Sequence, residues 1–302
     1  MIQPSYVSLL KSGELKYREQ LAWKKMKECL LCPHHCGVDR TGNDGCGFCR
    51  TGRYAFVNSY MAHYGEEAPL RGTNGSGTIF IAHCNMGCVF CQNWEISSNG
   101  DGVKVVPEDI AAAMLSLQVQ GCHNINLVTP SHIIPQFLSA LLIAAGNGLR
   151  LPIVYNSGGY DSITSLKLLE GVIDIYMPDM KYGDSETGFH LSKVKDYVKV
   201  NQDAVLEMHR QVGDLKLDEN GIAHSGLIVR HLMLPGMMDE TEKILRYISE
   251  KISPNTYLNL MDQYRPLYQA DQYTFINRRL SRDAYLGARK KAEQFGLLRF
   301  DK

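Results

Sequence analysis

Cys84, Cys88 and Cys91 are the residues whose type and spacing most directly imply chemistry, three thiols within the eight residues Cys84-Asn-Met-Gly-Cys88-Val-Phe-Cys91. The run Thr78-Ile-Phe-Ile-Ala82 just before them reads as a buried strand, so the thiols gather where a strand ends. A closed metal site normally takes four protein ligands. Three thiolates on a tight loop suit instead an iron–sulfur cluster in which one iron keeps no protein ligand. That open iron is where chemistry would happen.

A second group of thiols precedes it: Cys29-x2-Cys32-Pro-His-His-Cys36, then Cys46-x2-Cys49. Its spacing suits zinc held by two knuckles, Cys29/Cys32 with Cys46/Cys49, leaving Cys36 spare. It equally suits an auxiliary cluster on Cys29, Cys32, Cys36 and Cys49. With thiolates this abundant, His34 and His35 are spectators, and Cys122 reads as a small buried residue. The start Met1-Ile-Gln-Pro-Ser5 lacks the basic-then-apolar layout of a signal peptide. The longest nearly apolar run, Phe137–Ala145, is far too short to span a bilayer. A cytoplasmic protein is expected, in which the nine cysteines stay reduced and act as ligands rather than disulfides. The 32 basic and 32 acidic residues balance, which argues against a broad nucleic-acid or membrane-binding surface.

The elements that must position these thiols follow from periodicity. From Thr78 onward, strand-like and helix-like segments alternate as repeated βα units. Strands are expected at 78–82, 126–129, 153–155, 172–177, 227–234 and 257–261. Helices are expected at 107–120, 138–145, 162–170, 203–212, 240–250 and 281–295, the first opening on Pro107 and the last capped by Ser281. A hairpin is expected around Asp218-Glu-Asn-Gly221. Residues 1–70 differ in character, being cysteine-rich with a basic amphipathic helix near Leu15–Glu28. The expected organisation is an N-terminal metal-binding segment (1–70) and an α/β barrel of six βα units (71–302). In such barrels reactive groups sit where strands end: Thr129-Pro-Ser-His132, Asn156-Ser-Gly-Gly-Tyr160, Pro178-Asp-Met-Lys181, Arg230-His231 and Asp262-Gln-Tyr264. The glycine run Gly72–Gly77 is no phosphate loop, because it precedes a strand rather than joining a strand to a helix.

The C-x3-C-x2-C spacing, with Phe90 before the last cysteine and a strand before the first, resembles the signature of the radical S-adenosylmethionine (SAM) enzymes. The N-terminal Cys-Leu-Leu-Cys-Pro-His-His-Cys segment, Cys91-Gln-Asn-Trp-Glu-Ile-Ser97, His123-Asn-Ile-Asn-Leu-Val-Thr-Pro130, Glu207–Asp214 and Arg278–Arg282 resemble the predicted pyruvate formate-lyase activating enzyme group (PflX type). The resemblance implies an open (βα)6 partial TIM barrel. It implies a [4Fe-4S] cluster on Cys84, Cys88 and Cys91, with SAM on the open iron and reductive cleavage to a 5′-deoxyadenosyl radical. Phe90 would then pack on the adenine, and Asn156 or Ser157 would reach a ribose hydroxyl. Lys181, oriented by Asp179, or an inward Arg230 would pair with the SAM carboxylate; His231 is the alternative inward residue on that strand. The family's Gly-Gly-Glu segment, which contacts the SAM amino group, is missing, and Thr129 and Ser131 are the candidates to replace it. Expected partners are a reductant such as flavodoxin or ferredoxin and a protein or small-molecule substrate, with a glycyl-radical enzyme the leading case. The rival reading is a non-catalytic zinc- or cluster-bearing interaction or redox-sensing protein.

Overall fold

The computed structural model describes residues 3–42 and 45–301. Two helices, α1 (Tyr6–Ser12) and α2 (Glu14–Lys24), come first. β1 (Ala55–His63) then runs antiparallel to β2 (Ser76–Ile81), with the short α3 (Ala68–Arg71) between them, and β3 (Val103–Val105) pairs with the far edge of β1. From β2 the sheet continues in parallel through β4 (Ile125–Val128), β5 (Ile153–Ser157) and β6 (Ile175–Pro178). A hairpin strand, β7 (Lys216–Leu217), lies antiparallel to the start of β8 (Ala223–Leu232), which pairs in parallel with β6 and with β9 (Tyr257–Met261). Six strands are thus mutually parallel. Among the described residues none pairs β9 to β2, so the sheet stays open.

Helices α4 (Pro107–Val119), α5 (Ile134–Gly146), α6 (Ile163–Leu168), α7 (Ser185–Ser192), α8 (Tyr197–Val212), α9 (Met238–Tyr247) and α10 (Arg282–Gln294) form the connections. α5 is buried along most of its length because α2 and α4 pack on either side of it. Each such leucine or phenylalanine contributes about 2 kcal/mol. The first residues are tied to the barrel by polar contacts. Ser5 N and Oγ donate to Asp174 Oδ1 at 2.9 and 3.0 Å, Ile153 N donates to Asp174 Oδ2 at 3.0 Å, and Tyr6 donates to the Leu151 carbonyl at 3.0 Å.

Three expectations shift. The strand expected at 172–177 begins only at Ile175, because the Val172 and Ile173 amides bond back to the Leu169 carbonyl in the turn that ends α6. The helix expected to reach Glu28 ends at Lys24, and Met26, Cys29 and Leu31 form a small buried cluster of their own. β1 escapes the period-two pattern because its register shifts between Val57 and Ser59, and of its nine residues only Ala55 and Val57 are buried. It places residues 55–63, expected within the N-terminal segment, in the same sheet as the barrel strands.

Candidate active site

The loop after β2 is held from several sides. His83, with φ of 67°, turns the chain out of the strand, and its amide donates to the Ile96 carbonyl at 3.0 Å. The Gly87 and Val89 amides bond to the Ser192 and Leu191 carbonyls at the end of α7, at 2.8 and 2.9 Å. Asn85 Nδ2 donates to the Tyr160 carbonyl at 2.7 Å. Each thiol of the loop has a polar neighbour suited to a thiolate: Met86 N donates to Cys84 Sγ at 3.3 Å, Ser192 Oγ donates to Cys88 Sγ at 2.9 Å, and Ser97 Oγ lies 3.1 Å from Cys91 Sγ. Hydrogen bonds to sulfur of this kind tune a cluster's potential. Burial raises the thiol pKa of Cys84 and Cys88, that of Cys88 to about 11, with Lys181 opposing the rise. Free thiols are therefore favoured over bare thiolates, and binding iron would displace their protons.

The three cysteines face a cavity of about 260 Å³ at the C-terminal ends of the parallel strands. Phe90, Thr129, Asn156, Ser157, Asp179, Lys181 and Arg230 line the same cavity. They come from the cluster loop and from the ends of β4, β5, β6 and β8, so the sheet curves enough to bring those ends around one space. Ser131 does not line it; it is buried in the turn after β4. Phe90 meets Tyr182 and Tyr264 edge-on, with ring centroids 6.4 and 5.9 Å away. Thr129 holds φ of 63° and ψ of 52°. A β-branched residue occupies that region only at a cost of about 1–3 kcal/mol. Its amide donates to the Asn156 carbonyl at 2.8 Å.

The strand-end charges form one network. Arg230 Nε donates to Asp179 Oδ1 at 2.8 Å, Arg230 Nη2 donates to Asn156 Oδ1 at 2.6 Å, and Lys181 Nζ donates to Asp179 Oδ2. Burial would raise the Asp179 carboxyl, but the Arg230 and Lys181 charges hold it below the ordinary aspartate value. Burial likewise opposes the Lys181 and Arg230 charges; Asp179 first, with Cys88 for Lys181 and Glu67 and Glu66 for Arg230, more than restores them. Among the described residues the charged side chains lining the cavity are these three, two cations and one anion, and Glu67 and Glu66 act on Arg230 from outside the lining. Ser157 is set by a buried carboxylate, donating to Asp161 Oδ2 at 2.6 Å. Behind it Gly159, at φ of +71°, admits no side chain, since a Cβ would come within 2.2 Å of the Asp179 carbonyl, and a Cβ on Gly158 would come within 2.4 Å of Met86 Sδ and displace that side chain.

The choice between Arg230 and His231 is settled by β8. Arg230 enters the cavity, while His231 points to the other face, with Nδ1 2.7 Å from the Met180 carbonyl and Nε2 2.9 Å from Thr241 Oγ1. Of the segment after β9, Gln263 lines the cavity and Tyr264 is buried, donating to the Ile276 carbonyl at 2.9 Å. Sequence reasoning missed Met86 and Ser192; α7, which carries Ser192, gave no signal of its own. A larger cavity of about 420 Å³ lies elsewhere, between the Gln202 and Lys251 regions. Its charged lining holds no thiol, so the chemistry belongs to the smaller one.

In the N-terminal segment Cys29, Cys32 and Cys49 are buried and Cys36 is exposed. Cys46 turns away, its thiol donating to the Asp39 carbonyl at 3.0 Å. Among the described residues no three His, Cys, Asp or Glu side chains are gathered as around a single metal ion, and no helix is long and apolar enough to cross a membrane.

A model of the radical SAM superfamily matches residues 78–248, more than half of the chain and including all three loop cysteines. The chain belongs to the radical SAM superfamily, whose members use a [4Fe-4S] cluster and SAM. An uncharacterised protein of Methanocaldococcus jannaschii, MJ0674, is 33% identical over 296 residues, covering 95% of this chain and 81% of that protein. Among solved structures, Streptococcus suis SuiB bound to precursor peptide SuiA is similar with a TM-score of 0.48 and 14% identity. That match takes in 72% of this chain, which spans under half (46%) of the SuiB chain.

Proposed function

We propose that this radical SAM enzyme is of the predicted pyruvate formate-lyase activating (PflX) type, and that the 260 Å³ cavity holds SAM against a cluster on Cys84, Cys88 and Cys91. The donor set fits the group: three free thiols on one loop, each beside a polar neighbour, share a cavity with Lys181 and Arg230. That last feature carries the reading, because an arginine and a lysine side by side at the strand ends are the groups that hold a carboxylate. Reductive cleavage of SAM at the bound cluster would supply a 5′-deoxyadenosyl radical for hydrogen abstraction, the protein's own part being to bind, orient and exclude water.

In this reading Arg230 and Lys181 hold the SAM carboxylate and Asp179 keeps both charged and aimed. Asn156, whose carbonyl oxygen is taken by Arg230, offers its amide nitrogen to a ribose hydroxyl, with Ser157 beside it. Thr129 stands in for the amino-group contact, and Phe90 packs against the adenine. Ser131, outside the cavity lining, takes a supporting place behind Thr129. Residues 1–70 act as the metal-binding segment and 71–302 as the catalytic barrel. The hydrogen comes from a glycine of a partner glycyl-radical enzyme, and a flavodoxin or ferredoxin supplies the electron in the cytoplasm.

The test is anaerobic reconstitution with iron and sulfide, followed by SAM and reductant. Brown protein that yields 5′-deoxyadenosine, with both properties lost in Cys88→Ala, is the expected outcome. Fully reconstituted protein that never consumes SAM overturns the reading. Loss of deuterium from a glycine-labelled partner to 5′-deoxyadenosine tests the substrate class separately.

A further inference from the structure

Arg40 is one of the largest fully buried side chains of the protein, at 2% exposure. A guanidinium so deep requires a compensating anion. Its hydrogen bonds run to the Thr51 carbonyl, to the His132 carbonyl at 2.7 Å and to Cys29 Sγ at 3.4 Å. Among the described residues no carboxylate forms an ion pair with it. Cys29 Sγ is its one side-chain hydrogen-bond acceptor among the described residues. A buried cation whose anionic surroundings are sulfur fits thiolates that carry a metal, not free thiols.

Arg40 ties Cys29 to the turn two residues past Cys49, while Cys46 is bonded elsewhere. Cys29 N bonds to the Val38 carbonyl and Gly37 N to the Cys29 carbonyl, at 3.0 and 3.1 Å, closing the loop that carries Cys32 and Cys36. Cys32 is buried within that loop. Gly47, with φ of +78°, lies so close to Cys36 that a Cβ there would be 3.2 Å from its sulfur. Cys46, the partner a second zinc knuckle would need, is bonded to Asp39 instead. Three cysteines from one loop and a fourth from a distant turn match a cluster pattern more closely than paired knuckles.

This group also touches the catalytic loop. His34, two residues after Cys32, places Nε2 2.8 Å from the carbonyl of Asn85, the residue after Cys84. Phe48, beside Cys49, stacks on His34 at 4.0 Å and lies 3.4 Å from where a Gly87 Cβ would be. Cys36 faces solvent.

We propose that Cys29, Cys32, Cys36 and Cys49 bind a second [4Fe-4S] cluster, with Arg40 as its buried counter-cation, and that it relays electrons to the Cys84–Cys91 centre. The relay half of the proposal rests on the radical SAM reading above; the metal site does not. One electron enters on the Cys36 side from a low-potential ferredoxin- or flavodoxin-class donor, which is oxidised as the second cluster is reduced. The same electron leaves through the His34–Asn85 contact, so the second cluster returns to its oxidised state as the loop centre is reduced. No bond forms or breaks and no proton moves.

The full chain carrying Cys84→Ala, Cys88→Ala and Cys91→Ala isolates the site. After anaerobic reconstitution it is expected to hold about four irons, the content of one cubane, with a reduced-state paramagnetic signal that SAM leaves unchanged. Adding Cys36→Ala abolishes that signal, whereas adding Cys46→Ala does not. Arg40→Met shifts the signal's midpoint potential to more negative values, because a nearby positive charge no longer favours the reduced cluster, and Arg40→Lys returns it toward the original. Zinc in place of iron, or iron whose retention needs Cys46 rather than Cys36, overturns the site. In the otherwise unaltered chain, Cys36→Ala is expected to slow reduction of the loop centre by a ferredoxin at least tenfold while leaving its reduction by dithionite intact; equal ferredoxin rates overturn the relay. Failure of the unaltered protein to make 5′-deoxyadenosine would sink the SAM reading and leave these iron counts as they are.

Discussion

Protonation of His231 should weaken the fold in a way that can be separated from everything else. Its ring is 2% exposed and its two nitrogens face a carbonyl and a hydroxyl, a setting made for neutral imidazole. Burial lowers its pKa from 6.5 to about 4, against a smaller opposing pull from the Met180 carbonyl and Asp179. The unfolded chain binds this proton more readily than the folded one, so the stabilisation is complete above pH 6.5 and is lost as pH falls toward 4. Between pH 7.5 and 5.5 linkage gives a loss of about 1.3 kcal/mol, rising to about 3 kcal/mol below both values. His132 behaves alike, lowered to about 3 by burial and by the Arg40 charge, and adds a similar amount over the same interval. Urea unfolding of the protein and of His231→Gln, followed anaerobically at pH 7.5 and 5.5, is the assay. The variant should be less stable at pH 7.5 by about 1–2 kcal/mol, through a lost hydrogen bond, and the gap should close by about 1.3 kcal/mol at pH 5.5. An undiminished gap, or an imidazole resonance of His231 titrating near its unperturbed value, refutes the reasoning.

Replacing Arg230 by Met removes the fork that contacts Asp179 and Asn156. SAM affinity measured by equilibrium dialysis should fall about tenfold to a hundredfold, the range of a charged hydrogen bond, and Arg230→Lys should recover little because one ammonium cannot reproduce both contacts; an unchanged affinity would remove Arg230 from the site. Thr129→Gly relieves the positive-φ penalty and should raise stability by about 1 kcal/mol while lowering 5′-deoxyadenosine formation; a melting temperature that falls would show that the backbone there is not strained. Asp174→Asn replaces one acceptor oxygen of a carboxylate that receives three donors. It should cost about 1–3 kcal/mol and speed amide exchange in α1; exchange at the original rate would show that the N-terminal helices dock by apolar contacts alone.

The parallel strands and the three-thiol loop were legible because both signals are local. Buried strands read as apolar runs bounded by glycine, and metal-ligand spacing survives in the primary structure whatever the rest of the chain does. Seven of the eight residues picked out by strand-end logic line one cavity, since in a curved parallel sheet the residues that follow each strand share one mouth. Ser131 marks where that logic stops: three residues past the strand, the turn after β4 has already carried its side chain into the interior. The orientation of Arg230 was out of reach for a related reason. Two adjacent polar residues fix opposite faces, but only the register of β8 against β6 and β9 decides which is which. β1 and Ser192 depend on still more distant pairings, the first on an irregular register with β2 and the second on a helix that contributes a single hydroxyl. Arg40 was invisible for the opposite reason. An arginine between two cysteine pairs reads as a solvated charge until the fold buries it, and only its burial turns the neighbouring thiols from a spacing pattern into a site whose charge must be balanced.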